Sequence, residues 1–144
     1  EEGALSLWII NRTREKAQEL AKEVSRFYPE TKVRALTYDE LDQLPQERMI
    51  ALQCTSVGLH PHCEETPVEA EDFFRRIDYA FDLIYRPEET AFLRRVRQAG
   101  GRTANGLAML LWQGIAAYEY WNDVAVEPQE AQKLLKQLKE AIGQ

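Results

Sequence analysis

The chain opens by switching between two hydrophobic periodicities. Leu5 to Ile10 (LSLWII) is a short apolar run without polar alternation, the pattern of a strand covered on both faces of a parallel sheet, and it stops at Asn11. Thr13 is placed to cap a helix in which Ala17, Leu20, Ala21 and Val24 recur at i, i+3, i+4 and i+7 before Pro29. Lys32 to Leu36 then reads as a strand, Tyr38 to Leu44 as a short helix, and Met49 to Cys54 (MIALQC) as another buried strand. The order is β-α-β-α-β.

Ser56 to Pro67 is rich in turn formers, and a polar helix is predicted around Val68 to Arg75 before a strand at Tyr79 to Ile84. Pro87 suits the first turn of a helix that points Phe92, Leu93, Val96 and Ala99 inward and closes at Gly100-Gly101. A short strand follows near Arg102 to Ala104. Leu107 to Trp121 is apolar almost all round and is predicted to be buried, whereas Gln129 to Ile142 gathers Ala131, Leu134, Leu135, Leu138 and Ile142 on one side. Strands alternating with helices imply an α/β fold, a Rossmann-like doubly wound parallel sheet with right-handed crossovers, followed by C-terminal helices.

Size and charge narrow this picture. A chain of 144 residues fits one domain, so residues 1–144 are expected to form a single core. The formal charge of −6 opposes the field a nucleic-acid binder uses, and no window has the apolar length of a membrane span. Cys54 and Cys63 are too few for a disulfide framework, which favours free thiols and a reducing cytoplasm.

In open α/β sheets ligands bind beyond the carboxyl ends of the strands, which puts Asn11-Arg12-Thr13, Thr55 to Gly58, Tyr85 and Asn105-Gly106 on one rim. Arg12, Arg14 and Lys16 crowd one strand end beside a helix start, an arrangement that favours an anion, although the same letters describe a solvated helix start. An arginine at that position accommodates a 2′-phosphate, where an acidic residue would favour a ribose hydroxyl, so the pattern points to NADP. Thr55-Ser56-Val57-Gly58 offers hydroxyls and a permissive backbone, or is an ordinary loop. Gln113 shares a helix face with Met109, Ala116, Ala117 and Tyr120, so it is predicted to be a buried amide needing a neighbour or a ligand. His60, His62, Cys63 and Cys54 lack the paired spacing of a zinc site, and no metal is expected. The aromatics Trp112, Tyr118, Tyr120 and Trp121 suit core or interface packing.

Taken in order, Asn11-Arg12-Thr13 after a strand, Cys54-Thr55-Ser56-Val57-Gly58, Asp82-Leu83-Ile84-Tyr85-Arg86-Pro87 with Thr90, and Asn105-Gly106-Leu107-Ala108-Met109-Leu110 with Gln113 resemble shikimate dehydrogenase. The resemblance runs from about Leu5 to the last helix. It implies that Asn11, Arg12, Thr13 and Lys16 hold the adenosine 2′-phosphate and ribose of NADP, with Arg14 as an extra contact. Thr55, Ser56, Leu83 and Gly106 would line the nicotinamide side, and Tyr85 and Gln113 would reach the substrate. The implied reaction is the reversible NADPH-dependent reduction of 3-dehydroshikimate to shikimate in chorismate and aromatic amino-acid biosynthesis.

That family places its catalytic lysine and aspartate in an N-terminal domain, and neither is identifiable in this sequence. The first Rossmann strand and its glycine-rich phosphate loop are also expected upstream of Glu1, so the isolated chain is expected to be inactive. Loss of a central strand leaves apolar edges, which predicts a homodimer or a strand-exchanged assembly. Gln53 stands where the family usually has asparagine, a departure that bears on the adjoining loop. The rival readings are a quinate/shikimate paralogue using NAD, a non-catalytic nucleotide-binding or interaction module, and, last, a glutamyl-tRNA reductase-like domain.

Overall fold

The computed structural model describes residues 3–143. The chain divides into two compact units, residues 1–47 and residues 48–144. In the first, strand β1 (Ser6–Ile10) pairs in parallel with β2 (Lys32–Leu36), from Ser6 opposite Lys32 to Ile10 opposite Leu36. Helix α1 (Arg14–Phe27) is the crossover between them. Ala17 is its one buried residue. A 3-10 segment, Tyr38–Gln43, follows β2.

The second unit contains β3 (Met49–Gln53), β4 (Ile77–Asp82) and β5 (Arg102–Asn105), parallel and in that spatial order. A register shift between Met49 and Ile50 leaves Gln53 opposite Asp82 and Asp82 opposite Asn105, so three polar residues end adjacent strands side by side. Helix α3 (Ala91–Gln98) packs Phe92, Leu93 and Val96 against this sheet, all at most 3% exposed. Phe74 lies at the centre, with its ring centroid 5.5 Å from Phe73 and 6.0 Å from Phe92, and the Arg95 guanidinium covers it at 5.7 Å. Each buried phenylalanine contributes about 1.5–3 kcal/mol of transfer free energy. At Gly100 the backbone turns to φ 92°, the left-handed conformation that closes α3.

The parallel α/β architecture matches the sequence pattern, with its strands in two sheets, β1-β2 and β3-β4-β5. Several local expectations are corrected. β1 is half-buried rather than covered on both faces. Thr13 occupies the N-cap of α1, yet its side chain accepts no capping bond. The polar helix predicted over Val68 to Arg75 is a single turn, α2 (Glu71–Phe74), and two of its four residues are the buried Phe73 and Phe74. Pro87 follows a cis peptide and lies before the helix; α3 begins at Ala91 under a Thr90 cap. The largest correction concerns α4 (Leu107–Asn122), where only Leu107 and Ile115 are buried. Helix α5 (Pro128–Ile142) covers one stripe of it, leaving Tyr120 86% and Trp121 78% exposed. Among the described residues no helix is long and apolar enough to cross a membrane.

Candidate functional site

Four strand ends share one device. Asn11, Gln53, Asp82 and Asn105 each fold the side chain back to accept the backbone N–H two residues on, from Thr13 at 2.9 Å, Thr55 at 2.5 Å, Ile84 at 3.0 Å and Leu107 at 3.1 Å. An amide or carboxylate at the end of a strand thus replaces the ladder partner that the chain loses as it leaves the sheet. Gln53 performs this task with its longer side chain and also donates from Nε2 to the Val57 carbonyl at 3.0 Å. Its departure from asparagine therefore leaves the Thr55–Val57 turn tied at both ends.

In the first unit the turn at Asn11 leads into the cationic cluster. Arg12 and Lys16 are exposed, and neither makes an ion pair among the described residues. Arg14 differs: its Nη2 lies 2.8 Å from Glu40 Oε2 and donates to Thr37 Oγ1 at 3.4 Å. The same Glu40 oxygen accepts from the Thr37 N–H and hydroxyl, both at 2.9 Å, so the Arg14 guanidinium and the Thr37 donors hold the Glu40 carboxyl down at about 2. Burial pushes the Tyr38 phenol up, and the Arg12 guanidinium opposes that shift. Among the described residues, the cations at this strand end without an ion pair are therefore Arg12 and Lys16.

In the second unit the three strand-end loops meet at Leu83. The Leu83 N–H donates to the Gln53 carbonyl at 3.0 Å, and the Gly106 N–H donates to the Ile84 carbonyl at 3.2 Å. A Cβ on Gly106 would stand 2.0 Å from the Leu83 carbonyl oxygen, so no side chain fits there. Asn105 Nδ2 donates to the Glu88 carbonyl at 2.9 Å, tying the β5 turn to the loop after β4. Beside this junction lies an open cavity of about 510 Å³ lined by Leu59, His60, Leu83, Ile84, Tyr85 and Arg86. Its walls are largely apolar and Arg86 is the one permanent charge among its lining residues, which suits a flat ring carrying negative or polar substituents.

The structure thus brings Thr55, Ser56, Leu83, Tyr85 and Gly106 to the carboxyl ends of one sheet, and Asn11, Arg12, Thr13, Arg14 and Lys16 to the end of another. Gln113 is exposed on α4, so the expectation of a buried amide is overturned: water satisfies it where a second helix does not cover that face. Both cysteines are free thiols, and burial together with the Asp82 carboxylate pushes Cys54 up. Sequence reasoning missed the part played by Asp82 and Thr90, both 0% exposed, although a carboxylate closing an apolar strand was the available signal.

No family model matches the chain. It is 41% identical over 123 residues to the NADP(+) shikimate dehydrogenase of Symbiobacterium thermophilum, covering 83% of this chain and 41% of that protein. It superposes on the chorismate mutase/shikimate 5-dehydrogenase fusion protein of Clostridium acetobutylicum with a TM-score of 0.76 at 33% identity, covering 96% of this chain and 47% of that one. A shikimate dehydrogenase in complex with NADP+ matches with a TM-score of 0.71 at 29% identity over 92% of this chain and 46% of that one. The chain therefore spans less than half the length of each relative. In sequence and in its Rossmann-like fold it is related, over nearly its whole length, to one half of the shikimate dehydrogenases, as the ordered motifs imply.

Proposed function

We propose that this chain is the NADP-binding part of a shikimate dehydrogenase that reversibly reduces 3-dehydroshikimate to shikimate. The observation that carries the reading is the pair of cations, Arg12 and Lys16, that make no ion pair among the described residues and follow the Asn11 turn at the end of β1. The residues fit the cofactor at that end, where a 2′-phosphate matches those cations, and Gly106, lacking a Cβ, lets the β5–α4 turn close directly against Leu83 on the proposed nicotinamide side. When bound, NADP supplies the redox chemistry by exchanging a hydride with the substrate carbon.

The chain's own residues bind and orient. Arg12 and Lys16 neutralise the 2′-phosphate, with Asn11 and Thr13 shaping the turn beside it. Arg14 acts as a reserve, since Glu40 already engages it. Thr55, Ser56, Leu83 and Gly106 form the nicotinamide side, and their fixed backbone holds the ring without reorganisation. Tyr85 and Gln113 reach the substrate hydroxyls from exposed positions. Proton transfer to the developing alkoxide is assigned to a lysine and an aspartate in the remainder of the parent protein, so this chain alone is inactive. Neither β1 nor β3 has a described strand on its second edge, and Ile50 and Leu52 are 69% and 65% exposed, which favours self-association when the chain is isolated.

The test is the full-length parent protein assayed with shikimate or quinate and with NADP+ or NAD+. Shikimate with NADP+ is the expected best pair. A charge-assisted bond to phosphate is worth about 1.5–3 kcal/mol, so Arg12→Ala should weaken NADP+ binding by roughly 10- to 150-fold and leave NAD+ within about twofold. Preference for quinate with NAD+ would make the protein a paralogue, and inactivity of an intact parent would make it a binding module.

A further inference from the structure

Thr90 is wholly buried between two loops that carry the proposed nicotinamide and substrate contacts, and its two γ substituents face different partners. Its hydroxyl donates to Asp82 Oδ2 at 2.7 Å and accepts the Leu93 N–H at 3.3 Å, capping α3. Its methyl side packs toward the other loop, where a Cβ on Gly58 would lie 3.5 Å from Thr90 Cβ and 3.6 Å from Cγ2. Asp82, equally buried, uses its second oxygen to hold the Ile84 N–H at 3.0 Å. One carboxylate therefore links the first turn of α3 to the segment Leu83–Arg86, which forms most of the cavity wall.

A buried carboxylate is a costly way to close a strand. Burial pushes the Asp82 carboxyl up, and the Thr90 hydroxyl and the Ile84 N–H offset that shift only in part. An asparagine, such as Asn105 on the neighbouring strand, makes the i+2 bond without a charge. An amide has a single oxygen and a donor NH2 in place of the second, so it cannot accept at both positions, and that double acceptance is the geometry found here.

We propose that Thr90, acting through Asp82, is a positioning residue that sets the Leu83–Tyr85 wall for hydride transfer to the ring substrate. The inference rests on the functional reading above. It assigns the placing of Leu83 and Tyr85 to the hydroxyl of Thr90, and the support of the Gly58 turn to its methyl.

Two variants of the full-length parent separate these parts. Thr90→Val keeps the shape and removes the hydroxyl; Thr90→Ser keeps the hydroxyl and removes the methyl. Measured well below the melting temperature of each, Thr90→Val should raise the KM for shikimate or lower kcat by tenfold or more. Its Kd for NADP+, governed largely by the Arg12 end, should stay within about threefold, and Thr90→Ser should stay within about threefold of wild type throughout. Amide hydrogen exchange supplies a readout independent of substrate: Ile84 and Gly106 should lose protection in Thr90→Val and retain it in Thr90→Ser. Equal losses in the two variants, or a Thr90→Val enzyme with wild-type kinetics and protection, would overturn the proposal. If the wild-type parent fails to oxidise shikimate with NADP+, the functional reading falls, and the exchange result still decides whether the hydroxyl holds the wall.

Discussion

Replacing Gly106 by alanine tests how tightly the β5–α4 turn is built. The added Cβ would meet the Leu83 carbonyl oxygen at 2.0 Å, its carbon at 2.7 Å and the Leu83 Cα at 3.2 Å. An ordinary carbon–oxygen contact is about 3.3–3.6 Å, so the two backbones must part by more than about 1 Å. Neither can move alone, because Leu83 donates to Gln53 and Gly106 donates to Ile84. Giving up those two hydrogen bonds costs about 2 kcal/mol, and the crowding itself adds about 1–3 kcal/mol. Gly106 sits at φ −73°, which alanine adopts freely, so restriction of the unfolded chain returns about 0.4–1 kcal/mol. The net expectation is a loss of about 2–4.5 kcal/mol in urea unfolding of the parent protein, together with reduced turnover because Leu83 is displaced. Gly114, in mid-α4, is the control: a Cβ added there would meet nothing within 4 Å, so Gly114→Ala should gain about 0.5–1 kcal/mol. A Gly106→Ala protein as stable as wild type within about 0.5 kcal/mol would refute the close-approach argument.

Further outcomes follow from the charges and caps. Because Glu40 engages Arg14, Arg14→Ala should weaken NADP+ binding less than Arg12→Ala or Lys16→Ala in side-by-side titrations; an equal or larger effect would show that Arg14 reaches the phosphate. The Glu40 carboxyl is held at about 2, below its ordinary 4.5, so its contribution to stability is present above about pH 4.5 and is lost as pH falls through about 2. A carboxyl NMR titration of Glu40 should show that low midpoint, moving up in Arg14→Ala; an ordinary midpoint in the wild type would contradict the capping arrangement. Asp82 has the opposite sign: its folded value is raised, so the native state is favoured while the group is protonated, and that contribution is lost as pH climbs above about 3.8 through the raised value. The stability difference between wild type and Asp82→Asn should therefore vary with pH across that interval, and a flat difference would argue against a buried, upshifted carboxyl.

The element order was legible in the amino-acid pattern alone, because periodicities of 2 and 3.6 are local properties of the chain. The cationic strand end was legible too, since Arg12, Arg14 and Lys16 fall within five consecutive residues at the start of α1 wherever the helix packs. Tertiary structure decided everything that depends on a distant partner. Arg14 left the set of available cations only because Glu40, far along the chain, comes within 2.8 Å of it. Phe73 and Phe74 turned a segment read as polar into the centre of a core, because the two rings of one short turn pack edge-on against each other and Phe74 meets Phe92 of α3. The apolar helix α4 was predicted to be buried from its composition, but burial requires a covering surface, and α5 provides it along a single stripe. Of the Asp82–Thr90 link, local reasoning could reach only the carboxylate that closes an apolar strand. Nothing in an apolar strand ending in aspartate tells which hydroxyl will meet that carboxylate until the loop after β4 has folded back over it.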